Sequence, residues 1–304
     1  MQFDMQLARE GFVAREVCPV IDVAEASGNV GIIPVEQLLS SPETRRAPRA
    51  DYNRTTFTFE PDTYATQEHG IEELVDEKES RMYANYFKAE MVAAMRVYRI
   101  IQQALEIEVA ALYNNTAVFT NTAAAAAKWD VKATADPAGD IETACQAVFA
   151  ASGMWPNVAI IPKQAFRRAI RTDAITGLIK YAGISDPRPE NISPQALAQA
   201  MNIEKIVVPG QAKNTADEGQ VASLASVWDK TKVFVGRICD PDSEDFREVT
   251  AARIVHWAGD GSSMDVTMES YPDLRSRAEV IRGRQQRQVK TMYAAVGYII
   301  SAVL

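Results

Sequence analysis

Between Tyr83 and Asn114 the chain runs for 32 residues without a glycine or proline, built almost wholly of good helix formers. Its apolar residues include Tyr86, Met91, Met95, Tyr98, Ile101, Leu105, Val109 and Leu112, mostly three or four apart, which is the spacing of one helix face. Asn114-Asn115-Thr116 supplies a stop. At 1.5 Å rise per residue such a helix reaches roughly 45–50 Å. It is too long for one layer of a small domain, so the rest of the chain has to be arranged along it.

What precedes the helix cannot bury itself. After a short amphipathic start at Phe3 to Ala14 come two extended runs, Val17 to Val23 and Val30 to Pro34, with Ser27-Gly28-Asn29 as turn chemistry between them. Leu38 to Arg54 holds two prolines and four arginines. Thr55 to Glu60 then resumes an alternating pattern with Phe57 and Phe59 on one face. Two extended runs joined by a polar, proline-bearing tip describe a long hairpin arm, and an isolated two-stranded arm is marginal in water. It needs a partner surface.

Beyond the alanine run Ala123 to Ala127, helices and strands alternate. Asp140 to Ser152, Lys163 to Ile170 and Ser193 to Met201 read as helices, the first closed by Gly153. Asn157 to Pro162, Ile203 to Val208 and Lys232 to Ile238 read as strands. Val158 to Ile161 is apolar throughout, the mark of a strand covered on both faces. Arg253 to Ala258 and Ser263 to Ser270 read as further strands. The length of 304 residues allows about two domains.

The parts of a familiar enzyme are missing. Of the two histidines, His256 sits between Val255 and Trp257 as a packed strand residue, and His69 is isolated. Cys18, Cys145 and Cys239 are far apart and odd in number, unlike a zinc set or redox pair, and read as isolated thiols in a reducing compartment. No G-x-G-x-x-G or G-x-x-x-x-G-K loop, G-x-S-x-G elbow or H-E-x-x-H helix occurs. No catalytic residue, cofactor or metal site is therefore expected. No apolar run is long enough to cross a membrane, and Met1 to Gln6 lacks the pattern of a signal peptide. A net charge of -8 argues against a surface that binds nucleic acid as a whole.

The average charge hides three blocks. The arm tip, Leu38 to Thr56, carries Arg45, Arg46, Arg49 and Arg54 against Glu43 and Asp51. Glu68 to Glu79 has six carboxylates against Lys78, a net of five negative charges. Arg275 to Lys290 has six cations against Glu279, a net of five positive charges. Solvated faces are the ordinary reading of such runs, since exposed pairs contribute only ~0–1 kcal/mol each.

The order of these parts resembles the major capsid protein of tailed bacteriophages, the Hong Kong phage capsid fold shared with encapsulin shells. The resemblance rests on Phe12 to Val23 leading into an arm with tip Arg46-Ala47-Pro48, and on the return through Asp62-Thr63-Tyr64-Ala65-Thr66. It continues with the long helix, with Lys128-Trp129-Asp130 before Asp136-Pro137 and Asp140-Ile141, and with Pro156-Asn157-Val158-Ala159-Ile160-Ile161. It ends with the helix and strand from Ser193 to Val208-Pro209-Gly210, and with Trp228.

The resemblance implies an α+β fold with an N-terminal arm (1–27), an extended β-hairpin arm (28–68), and a peripheral domain with the spine helix (69–139, closed by 253–284). An α/β axial domain follows (140–252, closed by 285–304). It implies a structural subunit, not an enzyme, forming hexamers and pentamers of an icosahedral virion head around packaged double-stranded DNA, assembled in the host bacterial cytoplasm. Its partners would be other copies of itself, a portal protein, and separate scaffolding and cement proteins, with weak non-specific contact to DNA. The expected inter-subunit residues are Arg45, Arg46, Arg49 and Arg54 of the tip, meeting Glu72, Glu73, Asp76 and Glu77 of a neighbour. Arg275, Arg277, Arg282 and Arg284 would pair around local three-fold axes, with DNA contact as the other reading of that run. A lysine–asparagine cross-link from the tip is not expected, because Leu38 to Thr56 has no lysine. With Met1 directly before the arm, any scaffold is expected to be a separate protein. Two other readings fit the residues: an encapsulin-like compartment shell, and a soluble α/β enzyme with an unrecognised site.

Overall fold

The computed structural model describes residues 11–56, 60–83, 88–181, 188, 191–241, 243, 245, 248–259 and 266–304. In chain order it begins with a short helix α1 (Ala14–Val17), strands β1 (Val20–Val23) and β2 (Ser27–Ile32), and the single turn α2 (Val35–Leu38). Strands β3 (Glu60–Ala65) and β4 (Gln67–Asp76) and helices α3 (Glu77–Tyr83) and α4 (Ala89–Tyr113) follow. Next come β5 (Thr122–Ala124), α5 (Pro137–Ser152), β6 (Val158–Ile160), α6 (Lys163–Ala169), α7 (Asp173–Tyr181) and α8 (Pro194–Ala200). The chain ends through β7 (Lys205–Val207), β8 (Ala212–Asn214), β9 (Leu224–Ser226), β10 (Val233–Gly236), β11 (Ala252–Trp257), β12 (Thr267–Asp273), β13 (Ala278–Thr291) and β14 (Gly297–Ser301).

The spine helix α4 has 25 residues, about 37 Å. It is shorter than the sequence predicts because Lys88 is extended (ψ 107°), which breaks the hydrogen-bond ladder of any helix entering from Tyr83. Its end at Asn114 is as expected. Val97, Ile101, Leu105 and Val109 are buried, whereas Met91 is exposed.

Two five-stranded sheets lie along this helix. In the first, β13 is the long central strand. It pairs with β4 on one edge, and with β12 and then β11 on the other; β1 adds to β11 in parallel. The expected hand-over between domains at 284/285 falls inside β13, and the chain leaves this sheet only after Thr291. Gly283 is where β13 meets the helix. A Cβ there would lie 2.6 Å from Val97 Cγ1 and 2.9 Å from both Ile101 Cδ1 and Val266 Cγ1. The helix can sit this close because glycine has no side chain.

The second sheet has the order β5-β14-β10-β6-β7 and mixes parallel and antiparallel pairs. Strand β6 is buried on both faces, as its unbroken apolar run predicts. Ala159 faces a core formed with α5 to α8, with Ile141, Val148, Ile175 and Leu197. Val158 and Ile160 face the other way, into a core shared with Leu105, Val109 and Tyr113 of the spine helix and Ile254 of the first sheet. This shared core joins the two halves. Within it Phe234 meets Tyr113 and Phe119 edge-on at 4.6 and 5.0 Å, a favoured arrangement of aromatic quadrupoles.

Local signals explain the ends of α5. Asp136 caps it by accepting from Gly139 N, Pro137 takes the first turn, and Gly153 closes it in the left-handed region (φ 68°). Ser193 likewise caps α8.

The hairpin arm is present, with corrected boundaries. Ser27-Gly28-Asn29, expected as a turn, lies within β2, and the bend falls at 24–26 instead. β2 pairs antiparallel with β3 from Ser27↔Ala65 to Ile32↔Glu60. The described part of the return strand, Glu60 to Ala65, joins the end of the predicted Thr55 to Glu60 run to the return segment Asp62 to Thr66. Thr55 and Thr56 are irregular and exposed. Phe57 and Phe59 lie outside the described residues, as does most of the predicted Phe3 to Ala14 helix.

Candidate assembly surfaces

From Ser40 to Thr56 every residue is exposed, and the backbone forms neither helix nor strand. What order the tip has is local. Asn53 donates to the Glu43 carbonyl, Glu43 accepts from Arg45 N, and a turn closes from Ala50 N to Ala47 O with Arg49 at φ 67°. The Arg46 guanidinium lies 4.4 Å from the Tyr52 ring centroid. Among the described residues no ion pair holds Arg45, Arg46, Arg49 or Arg54. The tip thus presents four cations and exposed Tyr52 on a segment with no core of its own.

The root of the arm, by contrast, is fastened to the outer face of the first sheet. Lys290 Nζ reaches Asp62 Oδ2 and the Thr63 carbonyl, each at 2.7 Å. Gln288 accepts from Ala65 N, and Trp257 donates to the Ala24 carbonyl.

The two charge blocks of the sequence turn out to be neighbours. The register of β4 against β13 sets Glu72 opposite Arg282, and that of β12 sets Glu269 opposite the same arginine. On the outer face Arg282 pairs with Glu269 at 2.5 Å and Glu72 at 3.7 Å, and Arg284 pairs with Glu269 at 3.1 Å. Tyr271 completes the ladder by donating to Glu72. Arg282 and then Arg284 hold the Glu269 carboxyl below the usual glutamate range.

On the helix side, Glu73 takes Arg96 at 2.6 Å. Glu77 lies 3.7 Å from Arg81, and both remain largely exposed. Asp76 accepts from Lys78 N. Of the residues expected to reach a neighbour, Glu72, Glu73, Arg282 and Arg284 already have counter-charges in their own chain. Arg275 and Arg277 sit in the exposed β12–β13 turn beside Leu274, which is 89% exposed.

A third feature lies in the shared core. Glu106 of the spine helix is fully buried. It accepts from Val13 N and Ala14 N at 3.0 and 2.8 Å and from the Trp228 indole at 2.5 Å. Burial raises its pKa, against the pull of those three donors. The carboxylate fixes the N-terminal segment to the helix and to the crossover that leads into β10. Tyr113 adds a bond to the Val17 carbonyl at 2.6 Å. Buried Arg287 is likewise paired with Glu108. His256 is a packed strand residue as expected, with Nδ1 2.7 Å from Asp22 Oδ1.

The three cysteines are free and buried. Among the described residues no cluster of histidine, cysteine, aspartate and glutamate is arranged to hold a metal ion. No helix there is long and apolar enough to cross a membrane.

No protein-family model and no curated protein matches the chain. Solved structures do. A phage-related protein from Bordetella bronchiseptica RB50 superposes over 96% of this chain and 92% of its own, with a TM-score of 0.72 at 20% identity. The capsid of cyanophage P-SCSP1u matches over 94% of this chain and 86% of its own, at TM-score 0.58 and 11% identity. The chain has the phage capsid fold. A virus-like particle from Pyrococcus furiosus also matches, over 99% of this chain and 96% of its own, at TM-score 0.58 and 10% identity. These three matches each span at least 94% of this chain and at least 86% of the other.

Proposed function

We propose that this chain is the major structural subunit of a phage head, forming hexamers and pentamers that close an icosahedral shell around double-stranded DNA. One observation carries the reading: an anchored arm ends in a wholly exposed basic tip with no core of its own, within a fold shared over most of its length with a phage capsid. A segment of that kind gains stability only when another copy covers it. The role is structural rather than catalytic.

The tip arginines pair with carboxylates of the next subunit, for which the arginine fork is well shaped. Glu77, still two-thirds exposed, is the best acceptor of the acidic block, because Glu72 and Glu73 are engaged at home. Arg275 and Arg277 at the β12–β13 turn serve the local three-fold contacts. Assembly in the host cytoplasm with portal, scaffolding and cement proteins belongs to the same reading.

The equal match to the Pyrococcus particle favours one alternative, a compartment shell with other contents. Electron microscopy of the expressed chain across salt and crowding conditions tests the shell, which appears as closed particles of uniform size. A monodisperse monomer under every condition overturns it. Nuclease-protected DNA in particles from producing cells separates a head from a compartment.

A further inference from the structure

A hole beside α6 and a knob formed by the separate two-stranded β8–β9 sheet carry opposite charge. The hole is a cavity of about 560 Å³ lined by Arg167, Arg168, Arg171 and Lys230, with Asp130 as the one acidic side chain among the described residues of its wall, which Leu304 also lines. Arg167 and Arg168 end α6, where cations suit the helix dipole. Arg171 lies beyond that helix and Lys230 comes from a distant loop, so helix capping does not explain their convergence. Among the described residues none of the four forms an ion pair. Gln164 and Lys230 also line a second cavity alongside, whose other walls include Leu224, Val227 and Trp228.

The knob is the β8–β9 hairpin, which pairs from Ala212↔Ser226 to Asn214↔Leu224. Its loop is held in shape from within. Asn214 Oδ1 accepts from Ala216 N and Ser223 N, Thr215 N donates to the Ser223 carbonyl, and Gly219 turns the chain at φ 81°. The loop presents Asp217 and Glu218, which form no ion pair among the described residues, and then Val221, 92% exposed. A small hairpin gains little from such order in isolation, whereas a shaped loop loses less entropy on docking.

We infer that the β8–β9 tip of one copy seats in the basic cavity of the next copy. Asp217 and Glu218 meet Arg167, Arg168 and Arg171, and Val221 enters the adjoining cavity beside Trp228. Because that cavity is walled by its own hairpin's Leu224, each hairpin both inserts and receives. The inserting residues Asp217 to Val221 differ from those that receive them, so the contact is heterologous, the kind that forms a ring when its rotation closes. The inference rests on the shell reading and adds to it an interface within each ring.

The test is a disulfide between Asp217→Cys and Arg171→Cys in assembled particles, read on non-reducing gels. The expected result is a ladder of covalent multimers that neither single variant gives. Particles without a ladder, or a bridge within one chain only, overturn the inference and leave the shell reading intact. Failure of the unaltered chain to assemble removes the shell reading instead.

Charge reversal covers a double cysteine variant that does not assemble. Asp217→Lys/Glu218→Lys and Arg167→Glu/Arg171→Glu each lower particle yield about tenfold, and their combination restores it. Unchanged assembly of the Arg167→Glu/Arg171→Glu variant with lowered DNA retention overturns the inference in favour of a phosphate-binding cavity.

Discussion

The Trp228 indole donates to Glu106 Oε1 at 2.5 Å, while Oε2 of the same carboxylate receives Val13 N and Ala14 N. One side chain thus joins the N-terminal segment, the spine helix and the crossover before β10 inside a common core. A carboxamide cannot replace it, since either its NH2 confronts the indole N–H or it confronts the two backbone donors. Glu106→Gln is expected to cost about 1–3 kcal/mol, the range for leaving buried polar groups unmatched. Trp228→Phe loses a similar amount. Denaturant unfolding of both single variants and the double variant measures their coupling, and additive losses would show that the bond is not shared.

Gly283 sets the distance between the spine helix and β13. Its missing Cβ would meet three buried branched side chains at 2.6 to 2.9 Å. Gly283→Ala is expected to destabilise by about 1–3 kcal/mol, as overpacking does, and Gly283→Val by more. Thermal melts of the subunit check this. An unchanged melting temperature would mean that the helix shifts freely on the sheet.

The parts of this fold that announce themselves in sequence are those governed by local periodicity and capping. Val158 to Ile161 reads as a doubly covered strand because both faces are apolar, and Gly153 marks the end of α5, whose start lies at Pro137 rather than the predicted Asp140 because Asp136 caps it. The spine helix is legible for the same reason, apart from its start. Nothing in the apolar pattern before Met91 signals the extended residue Lys88. The partners that the charge blocks find within the chain are decided by strand register, which the local pattern does not carry. Glu72 and Arg282 are 210 positions apart, and only the β4–β13 pairing makes them neighbours. Arg45, Arg46, Arg49 and Arg54 sit in a tip without a core, where among the described residues no ion pair holds them although Glu43 and Asp51 are close in sequence. Glu106 is nearly silent in the sequence. A glutamate within a helix looks like surface, and its burial follows from Trp228, which is 122 residues away. The one hint is a carboxylate directly following the apolar Leu105 on the buried side of the helix.

The pH response should divide between two carboxylates. Arg282 and Arg284 lower the Glu269 pKa, so its contribution is complete above the ordinary glutamate value and is lost as pH falls through the lowered folded one. Burial raises the Glu106 pKa, so the sign reverses: its contribution is present below the ordinary glutamate value and declines as pH rises through the raised one. Glu269→Gln is therefore expected to reduce stability at neutral pH and to approach the unaltered chain in acid. The deficit of Glu106→Gln should narrow as pH rises through that raised value. Unfolding free energies of the three chains from pH 3 to 8 separate the two, and parallel curves would refute both assignments.

The arm tip provides the sharpest contrast between folding and assembly. Arg45, Arg46 and Arg49 touch no core residue, so replacing all three by alanine should leave subunit stability within about 0.5 kcal/mol. If the tip pairs with carboxylates on the next subunit, the same variant should stay soluble and folded yet assemble poorly, because a weak interaction removed from one copy is removed from every copy in the shell. Assembly of the unaltered chain should weaken with salt, since exposed charge pairs are screened over about 10 Å at 0.1 M, and the variant should lose that dependence. The melting temperature of the subunit and light scattering during assembly give the two readouts independently. Shells forming in normal yield from the triple variant would place the interface elsewhere on the arm, beginning with Tyr52, 74% exposed beside Arg46.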